Sequence, residues 1–549
     1  MTTQQQVKPD SNYDVIVVGA GLSGIVAAAR YLQAHQECNL TILEQDYCLG
    51  GVWSKRRNYA NFWSQTAYGV QEFGDMKMER PPGDDCRHDQ FKAKYMTNYL
   101  EDYVDHVRIA GRSLRDRIQF KIGVNSLNKL DGRWHLSCTM YTTNGKSHKT
   151  LTSKRLMMAT GQSTVIRMPD LPGRETFKGT ILHSIDFGQS DVISNLEVQH
   201  VTVLGGGKSA ADMVYEAVKA GKTVSWIIRK TGDNSTGPGF FAPADLPTPG
   251  YANPGLMAQT RVMSSLQPCF LLQDTWWTWF VNRTHIGVKL VNAMFHQADL
   301  AIRNRAQYKK RQSDKGFEKL EYETRCVISK LLSLPMGVCM HKLTTYSVFW
   351  ANGTGGVVHH ADFWELVAAK VHVHRAKVAR VLDKELYLDD AYGTHFPCDA
   401  ILCGTGFERD LDLFSAEQQK QLGLPYPKIL EDPDTSGKWD ELVRDADAQI
   451  LDRFLILRSP PPHPHVEDPR TPYRLYRGIA PLHDDSIVFL NHINIANKIF
   501  GAEVQAMWTV AYFDGNINLP SVAERERDIA TWIAWSKSCL LYTSPSPRD

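Results

Sequence analysis

Three glycines and one acid carry the clearest chemistry in this chain. Gly19, Gly21 and Gly24 stand in the order G-x-G-x-x-G directly after an apolar run, Val15 to Val18, and Glu44 follows twenty positions after Gly24. In this spacing the first glycine permits a tight turn, the second lets a pyrophosphate approach the backbone, and the third lets a helix pack on the strand. Ala20, Leu22 and Ser23 complete the turn. The start of the helix offers unpaired N–H groups and the positive end of its dipole to phosphates. Glu44 stands where a carboxylate accepts hydrogen bonds from an adenosine ribose. A second set follows the run His200 to Leu204: Gly205, Gly206 and Gly207, then Lys208 and Ser209, with Ala210 in the third place. Alanine there still permits close helix–strand packing. The next strand ends in Arg229, where the first unit had Glu44. A guanidinium suits a 2′-phosphate, which favours NADPH over NADH; a solvated strand-end charge is the alternative.

The elements that must position these residues are readable from the pattern. Leu40 to Leu43 reads as the second strand of the first unit, and Ala-rich sequence with Ile25, Val26 and Ala29 on one side as its helix. Tyr59 to Asp75 lacks either periodicity and reads as a loop with short turns, while Tyr95 to Ile109 has helical spacing. Ile118 to Leu127 and Arg133 to Met140 alternate as a small antiparallel sheet would, and Arg155 to Ala159 is a further strand. A helix through about Lys219 and the strand from Lys222 complete the second unit. Gly232 to Pro254 reads as a surface loop and Leu272 to Leu334 as mostly helical. The strand in Pro397 to Phe407 ends in Gly404-Thr405-Gly406, an echo of Ala159-Thr160-Gly161, which suggests the chain crossing out of the first domain and back. The expectation is an α/β protein with two Rossmann-like dinucleotide-binding domains. The first spans residues 10–165 and 396–535; the second spans 166–395 with a helical insertion at about 233–334. Residues 536–549 read as a disordered or non-native tail.

Composition excludes several classes. The chain has 549 residues, 43% of them hydrophobic, and a net charge of +2, which points away from nucleic acid. Its ten cysteines make neither a zinc nor a disulfide framework, and no metal centre is expected. His359-His360, His372 and His374 lack partners at metal-like spacing and read as packing or solvated residues. Asp212, just inside the second helix, reads as support for the helix N-terminus. The polar start is unlike a signal peptide and no run is long enough to span a bilayer, so a cytoplasmic location is expected.

One acid-tipped and one base-tipped site suggest FAD and NADPH side by side, with hydride passing from nicotinamide to flavin. Disulfide reductases use paired cysteines next to the flavin, whereas Cys48 stands alone near the Gly50-Gly51 turn. Oxygen activation is the main alternative and requires a site that excludes water.

The segment FKGTILHSIDF, Phe177 to Phe187, matches F-x-G-x-x-x-H-x-x-x-F and lies between the two glycine motifs. With GAGLSG, LGGVW, MMATG, GGGKSAAD and CGTGF in order, the chain to about residue 530 resembles the flavin-containing (class B) monooxygenases and their Baeyer–Villiger relatives. The resemblance implies FAD on the first unit and NADPH on the second. It also implies insertion of one atom of O₂ into a small organic metabolite through a C4a-(hydro)peroxyflavin. By position, Gly19, Gly21, Gly24, Glu44, Val52, Trp53 and Val124 are implied FAD contacts, and Gly205, Gly207, Lys208, Ser209 and Arg229 NADPH contacts. Phe177, Gly179 and His183 match the fingerprint; His183 is implied to position the domains, although a core histidine bonded to a backbone carbonyl fits equally. Gln65 and Thr66 stand where animal-type members carry Asn-Thr beside the flavin, in a stretch whose end matches at Phe73 and Asp75. Gln65 and Asp75 are therefore the candidates near the reacting ring. The glutamine form is similar to fungal oxygenases that tailor secondary metabolites. Baeyer–Villiger ester formation, an NADPH oxidase or reductase, and a non-catalytic nucleotide sensor remain the alternative functions.

Overall fold

The computed structural model describes residues 11–143, 145–229, 242–248, 250–252, 254–305, 349, 358–374, 376–408, 411–460, 468–492 and 497–539. The first sheet is built on β1 (Ser11–Val18), whose Val15, Ile16 and Val17 are fully buried on both faces. A continuous apolar run is what a parallel strand covered from both sides requires. Helix α1 (Leu22–Ala34) follows and returns the chain to β2 (Leu40–Leu43), paired parallel to β1. Its alanines make it thin, and Ile25, Ala28 and Ala29 are fully buried. Helix α2 (Ala93–His106) precedes β3 (Ile118–Gln119), which pairs parallel with β2.

The antiparallel strands β4 (Ile122–Leu130) and β5 (Arg133–Thr142) form as the alternation predicts. The strand expected from Arg155 is longer, since β6 runs over Gly145–Met158. Its first part pairs antiparallel with β5 and its last part parallel with β1, in the register Val18↔Met158. One strand therefore joins a solvent-edged hairpin to a buried parallel sheet.

The second sheet contains β7 (Thr180–His183), β8 (His200–Leu204), β9 (Thr223–Ile227), β10 (Val371–His374) and β11 (Ala400–Cys403), in the order β7–β11–β8–β9–β10. All four pairings are parallel. Helix α3 (Lys208–Lys219) lies on this sheet between β8 and β9. The expected return to the first domain at residue 396 is therefore corrected. All four residues of β11 are fully buried between β7 and β8, so this strand completes the second sheet. The chain rejoins the first unit only afterwards, where Leu411, Phe414, Leu422 and Leu424 enter its core and β12 (Ile487–Phe489) pairs with β6.

A helical layer covers one side. Within the region expected as an insertion, α4 (Trp276–Arg283) and α5 (His285–Arg305) pack with α6 (Pro433–Arg453) through Val281, Val291, Phe295, Trp439 and Ile450. Helix α7 (Lys498–Phe513) covers α1 through Ile499, Ala502 and Ala506. The last helix, α8 (Val522–Cys539), adds Ile529 and Ile533 to the layer. It runs past the expected tail boundary at 536, and Ser538 donates to Asp447 at 3.1 Å. The rest of that tail, most of the 232–254 loop and residues 306–334 lie outside the described residues. Among the described residues no helix is long and apolar enough to cross a membrane.

Candidate functional site

The first glycine turn is shaped by backbone contact. Gly19 sits at φ +106°, in the left-handed region, and a Cβ there would lie 2.5 Å from the Ala159 carbonyl oxygen. A Cβ on Gly24 would lie 1.9 Å from the Gly19 oxygen, so the helix can approach β1 only with glycine there. Gly21 is less crowded, its would-be Cβ meeting the Gly51 Cα at an ordinary 3.8 Å. The Gly50 N–H donates to the Ala20 carbonyl at 2.9 Å, holding the second glycine pair against the first. Ala20, Leu22 and Ser23 are buried, which leaves backbone rather than side chain lining the cradle. Glu44, 9% exposed, accepts from the Ala20 N–H at 2.8 Å and the Asp46 N–H at 2.9 Å. Burial pushes its carboxyl up from the usual range, and these two donors pull it partly back. The Ile122 N–H donates to the Glu44 carbonyl, which brings the strand holding Val124 alongside. Val52 is exposed at the turn, and Trp53 stacks on Phe62 at 5.5 Å.

The second turn repeats the plan with one exchange. Gly205 has φ +111°, and its would-be Cβ meets the Gly404 carbonyl oxygen at 2.4 Å. Gly207 has nothing within 4 Å, which leaves space at the start of α3 beside Gly206 and Ser209. Ala210 fills the third place because Gly404 makes room for it: a Cβ on Gly404 would come within 2.6 Å of the Ala210 Cβ. The Trp226 indole N–H donates to the Gly205 carbonyl at 2.6 Å. Arg229 is exposed just beyond the end of β9.

Between the turns lies a polar node that the sequence did not disclose. Asp212, 3% exposed, accepts from the Tyr59 hydroxyl and the Lys208 ammonium on one carboxylate oxygen, and on the other from His359 Nε2 at 3.1 Å. Burial alone would raise its pKa, but the Lys208 ammonium and His359 outweigh this and hold it at about 2. The expected helix-end role is thus replaced by a buried ion pair. His359 is 5% exposed rather than solvated, and its Nδ1 accepts from the His360 N–H at 2.9 Å. One helical turn on, Glu216 accepts from the Asn61 N–H at 2.5 Å. Lys208 also lies over the Phe62 ring at 4.9 Å.

A cavity of about 300 Å³ opens along this face of α3, walled by Gln65, Lys208, Asp212, Tyr215, His359 and His360 among others. Gln65 is matched to both backbone groups of Val358, accepting its N–H at 3.0 Å and donating to its carbonyl at 2.6 Å. Thr66 follows directly and is half-buried. Asp75 does not join Gln65: it pairs with Arg30 of α1 at 2.5 Å and accepts from the Tyr103 hydroxyl at 3.1 Å. Its placement is that of a tie between α1 and the 73–76 turn, outside the cavity wall.

The fingerprint residues divide in the same manner. A Cβ on Gly179 would lie 2.2 Å from the Asp399 carbonyl oxygen, and Phe177 packs beneath β11. His183, 3% exposed, donates from Nε2 to the Gly406 carbonyl at 3.0 Å while its Nδ1 accepts from the Ile185 N–H. Burial pushes its pKa down, so a neutral imidazole pins the β7 end to the Gly404–Phe407 turn. Of the fingerprint, Phe187 reaches the interface between the units, edge-on to Tyr59 at 5.3 Å. Cys48 is a buried thiol raised by burial, a packing residue rather than a redox one.

The backbone cradles at Gly21 and Gly207, with an acid behind one and a base near the other, fit two dinucleotides. Comparison with known proteins narrows the family. Residues 16–239 match the pyridine nucleotide-disulphide oxidoreductase family model. An FAD-dependent monooxygenase of Aspergillus nomiae is 30% identical over 95% of this chain and 88% of its own. One from Aspergillus sclerotiorum is 31% identical over 95% of this chain and 87% of its own. An oxidized steroid monooxygenase bound to NADP shares the fold, with a TM-score of 0.56 at 15% identity over 98% of this chain and 92% of the other. With turns, acid and interface as described and with these full-length likenesses, the chain belongs to the FAD-dependent monooxygenases.

Proposed function

We propose that the two parallel sheets are two Rossmann-like domains, FAD lying on the Gly19–Gly24 turn and NADPH on the Gly205–Ala210 turn. The first domain would comprise residues 10–165 and the chain after Phe407, the second the residues between. The observation that carries this reading is the pair of open glycines, Gly21 and Gly207, each at the start of a helix on a parallel sheet. Bound FAD would supply the redox chemistry by which NADPH and O₂ oxygenate a small organic substrate.

What this chain's residues do is bind, orient and exclude water. Glu44 accepts from the ribose of FAD, and Gly21 and Gly51 leave room for its pyrophosphate. Lys208, Ser209 and Arg229 receive the phosphates of NADPH. Gln65 closes the cavity wall through Val358, keeping bulk water from the reacting region. Insertion of oxygen next to a ketone, the Baeyer–Villiger outcome, is the second reading, and the fingerprint from Phe177 to Phe187 does not choose between the two.

Rapid mixing of the yellow holoprotein with NADPH in aerated buffer tests the proposal. A lasting near-ultraviolet adduct before the oxidised spectrum returns is the expected result. Reduction followed by immediate release of peroxide, with no adduct, would replace the oxygenase reading with an NADPH oxidase. Product masses with ketone and amine substrates then separate ester formation from heteroatom oxidation.

A further inference from the structure

Asp212 joins two distant stretches of chain to its own helix. Tyr59 comes from the loop after the first glycine turn, Lys208 from the first turn of α3, and His359 from the segment that follows the helical region. An aromatic ladder runs through the same place. Trp53 stacks on Phe62 at 5.5 Å, Phe62 on Tyr59 at 4.8 Å, and Tyr59 meets Phe187 edge-on at 5.3 Å. The ladder thus begins beside the first nucleotide turn and ends on the second unit. Lys208 lies over its middle ring. Apolar stacking lets rings slide at small cost, whereas a buried ionised acceptor with three donors has one satisfied arrangement. The neighbouring bond from the Asn61 N–H to Glu216 repeats the tie one turn along α3.

We propose that Asp212 is a positioning residue for hydride transfer, fixing the loop of the first unit against α3 of the second through Tyr59 and by holding Lys208 over Phe62. The proposal rests on the two-nucleotide reading given above. Asp212 acts through the distance and angle between the units that carry the reacting rings. Hydride transfer is sensitive to such placement, since a misplacement of about 1 Å can cost about a hundredfold in rate.

The test is anaerobic rapid mixing of the full-length holoprotein with NADPH over a range of concentrations, with dithionite reduction and the thermal midpoint measured alongside. Asp212→Asn is expected to lower the limiting reduction rate by about a hundredfold. Tyr59→Phe, which keeps the ring ladder and removes only the hydroxyl, is expected to lower it by about tenfold. In both the reduction by dithionite stays near wild type, and in Tyr59→Phe, which leaves the Lys208–Asp212 pair in place, so does the NADPH concentration giving half the limiting rate. A purely structural role would lower the thermal midpoint and leave the limiting rate of the folded protein unchanged, and that result overturns the proposal. If Asp212→Asn does not fold, Tyr59→Phe decides, and a wild-type limiting rate in it overturns the proposal. Failure of wild type to be reduced by NADPH at all would instead remove the two-nucleotide reading on which the proposal stands.

Discussion

The two glycine turns solve one packing problem with the small residue on opposite sides. In the first unit the helix carries the glycine, Gly24, and the crossing strand end carries the alanine, Ala159, whose Cβ is 3.3 Å from the would-be Cβ. In the second the helix carries Ala210 and the strand end carries Gly404. The helices differ as well. The buried face of α1 is almost wholly apolar, while α3 buries Asp212 and Glu216 in addition to its alanines and valines. One unit is held by close backbone packing, the other by packing plus a charged node. Neither arrangement tolerates an added atom, and the second is sensitive to protons as well.

Gly24→Ala should have the largest effect. Its Cβ would sit 1.9 Å from the Gly19 carbonyl oxygen, backbone that cannot rotate away. Overpacking of this kind costs about 1–3 kcal/mol or more, here at the turn proposed to hold FAD. The expected outcome is protein purified without yellow colour, read from the ratio of flavin to protein absorbance. Adding Ala159→Gly should not restore it, because the closest clash is with Gly19. Full restoration would show that the Ala159 methyl, and not the Gly19 carbonyl, sets the limit.

Acid should separate the units next. His360, stacked on Tyr215 at 4.2 Å, is pushed down by burial to about 4. Its folded pKa lies below the unfolded value of about 6.5, so above that pH both states are neutral and stability is full. As the pH falls from about 6.5 to about 4 the unfolded chain takes the proton first, and up to about 3 kcal/mol is lost. Glu216, raised by burial, runs the other way and returns part of this, while Asp212 stays ionised to about 2. Thermal midpoints followed against pH should fall over this window, and His360→Asn should flatten the fall. Flavin fluorescence should report release from the first unit at lower pH than loss of NADPH-driven reduction. Release in step with that loss would break the contrast.

How much of this was readable in the chain follows from the range of each interaction. Both turns, α1 and β2 are local patterns, and the strand Leu40–Leu43 falls where its three apolar residues place it. Gln65 was found from its place in a motif, but its partner Val358 lies 293 residues away. Tyr59 and His359 reach Asp212 across 153 and 147 residues, and no spacing rule joins them. Asp75 was placed with Gln65 because both stand in one short stretch, yet that stretch turns and sends Asp75 to Arg30. The Gly404 turn resembled the end of β6 because both strand ends abut a glycine turn. The resemblance marks an equivalent position in the second sheet rather than a return to the first.

Gly404→Ala should weaken the second unit by about 1–3 kcal/mol, since its Cβ would press on Ala210 at 2.6 Å. Gly404 lacks a positive φ, so its backbone conformation accepts alanine, yet the added Cβ would also lie 2.7 Å from the Ala210 Cα and backbone N. Adding Ala210→Gly removes the opposing methyl but leaves that backbone contact, at a helix cost of about 1 kcal/mol. The double variant should therefore recover little of the NADPH-driven reduction that the single variant loses, while flavin content stays constant throughout. Full recovery would show that the Ala210 methyl alone sets how closely α3 approaches β11.

The smallest expected effect lies at the strand ends, where the units differ in charge. Glu44 is nearly buried and bonded to two backbone N–H groups, so its oxygens are held in place before any ribose arrives. Arg229 is exposed beyond β9, and an exposed guanidinium must give up water and side-chain freedom to bind a 2′-phosphate. Its charge-assisted contact should therefore fall at the low end of the usual range, about 1.4 kcal/mol or tenfold. Arg229→Ala should raise the half-saturating concentration of NADPH about tenfold and leave that of NADH unchanged, measured by steady-state consumption of each. An equal rise for both would assign Arg229 to a phosphate the two share, and the contrast between acid and base would then concern only the solvation of the strand ends.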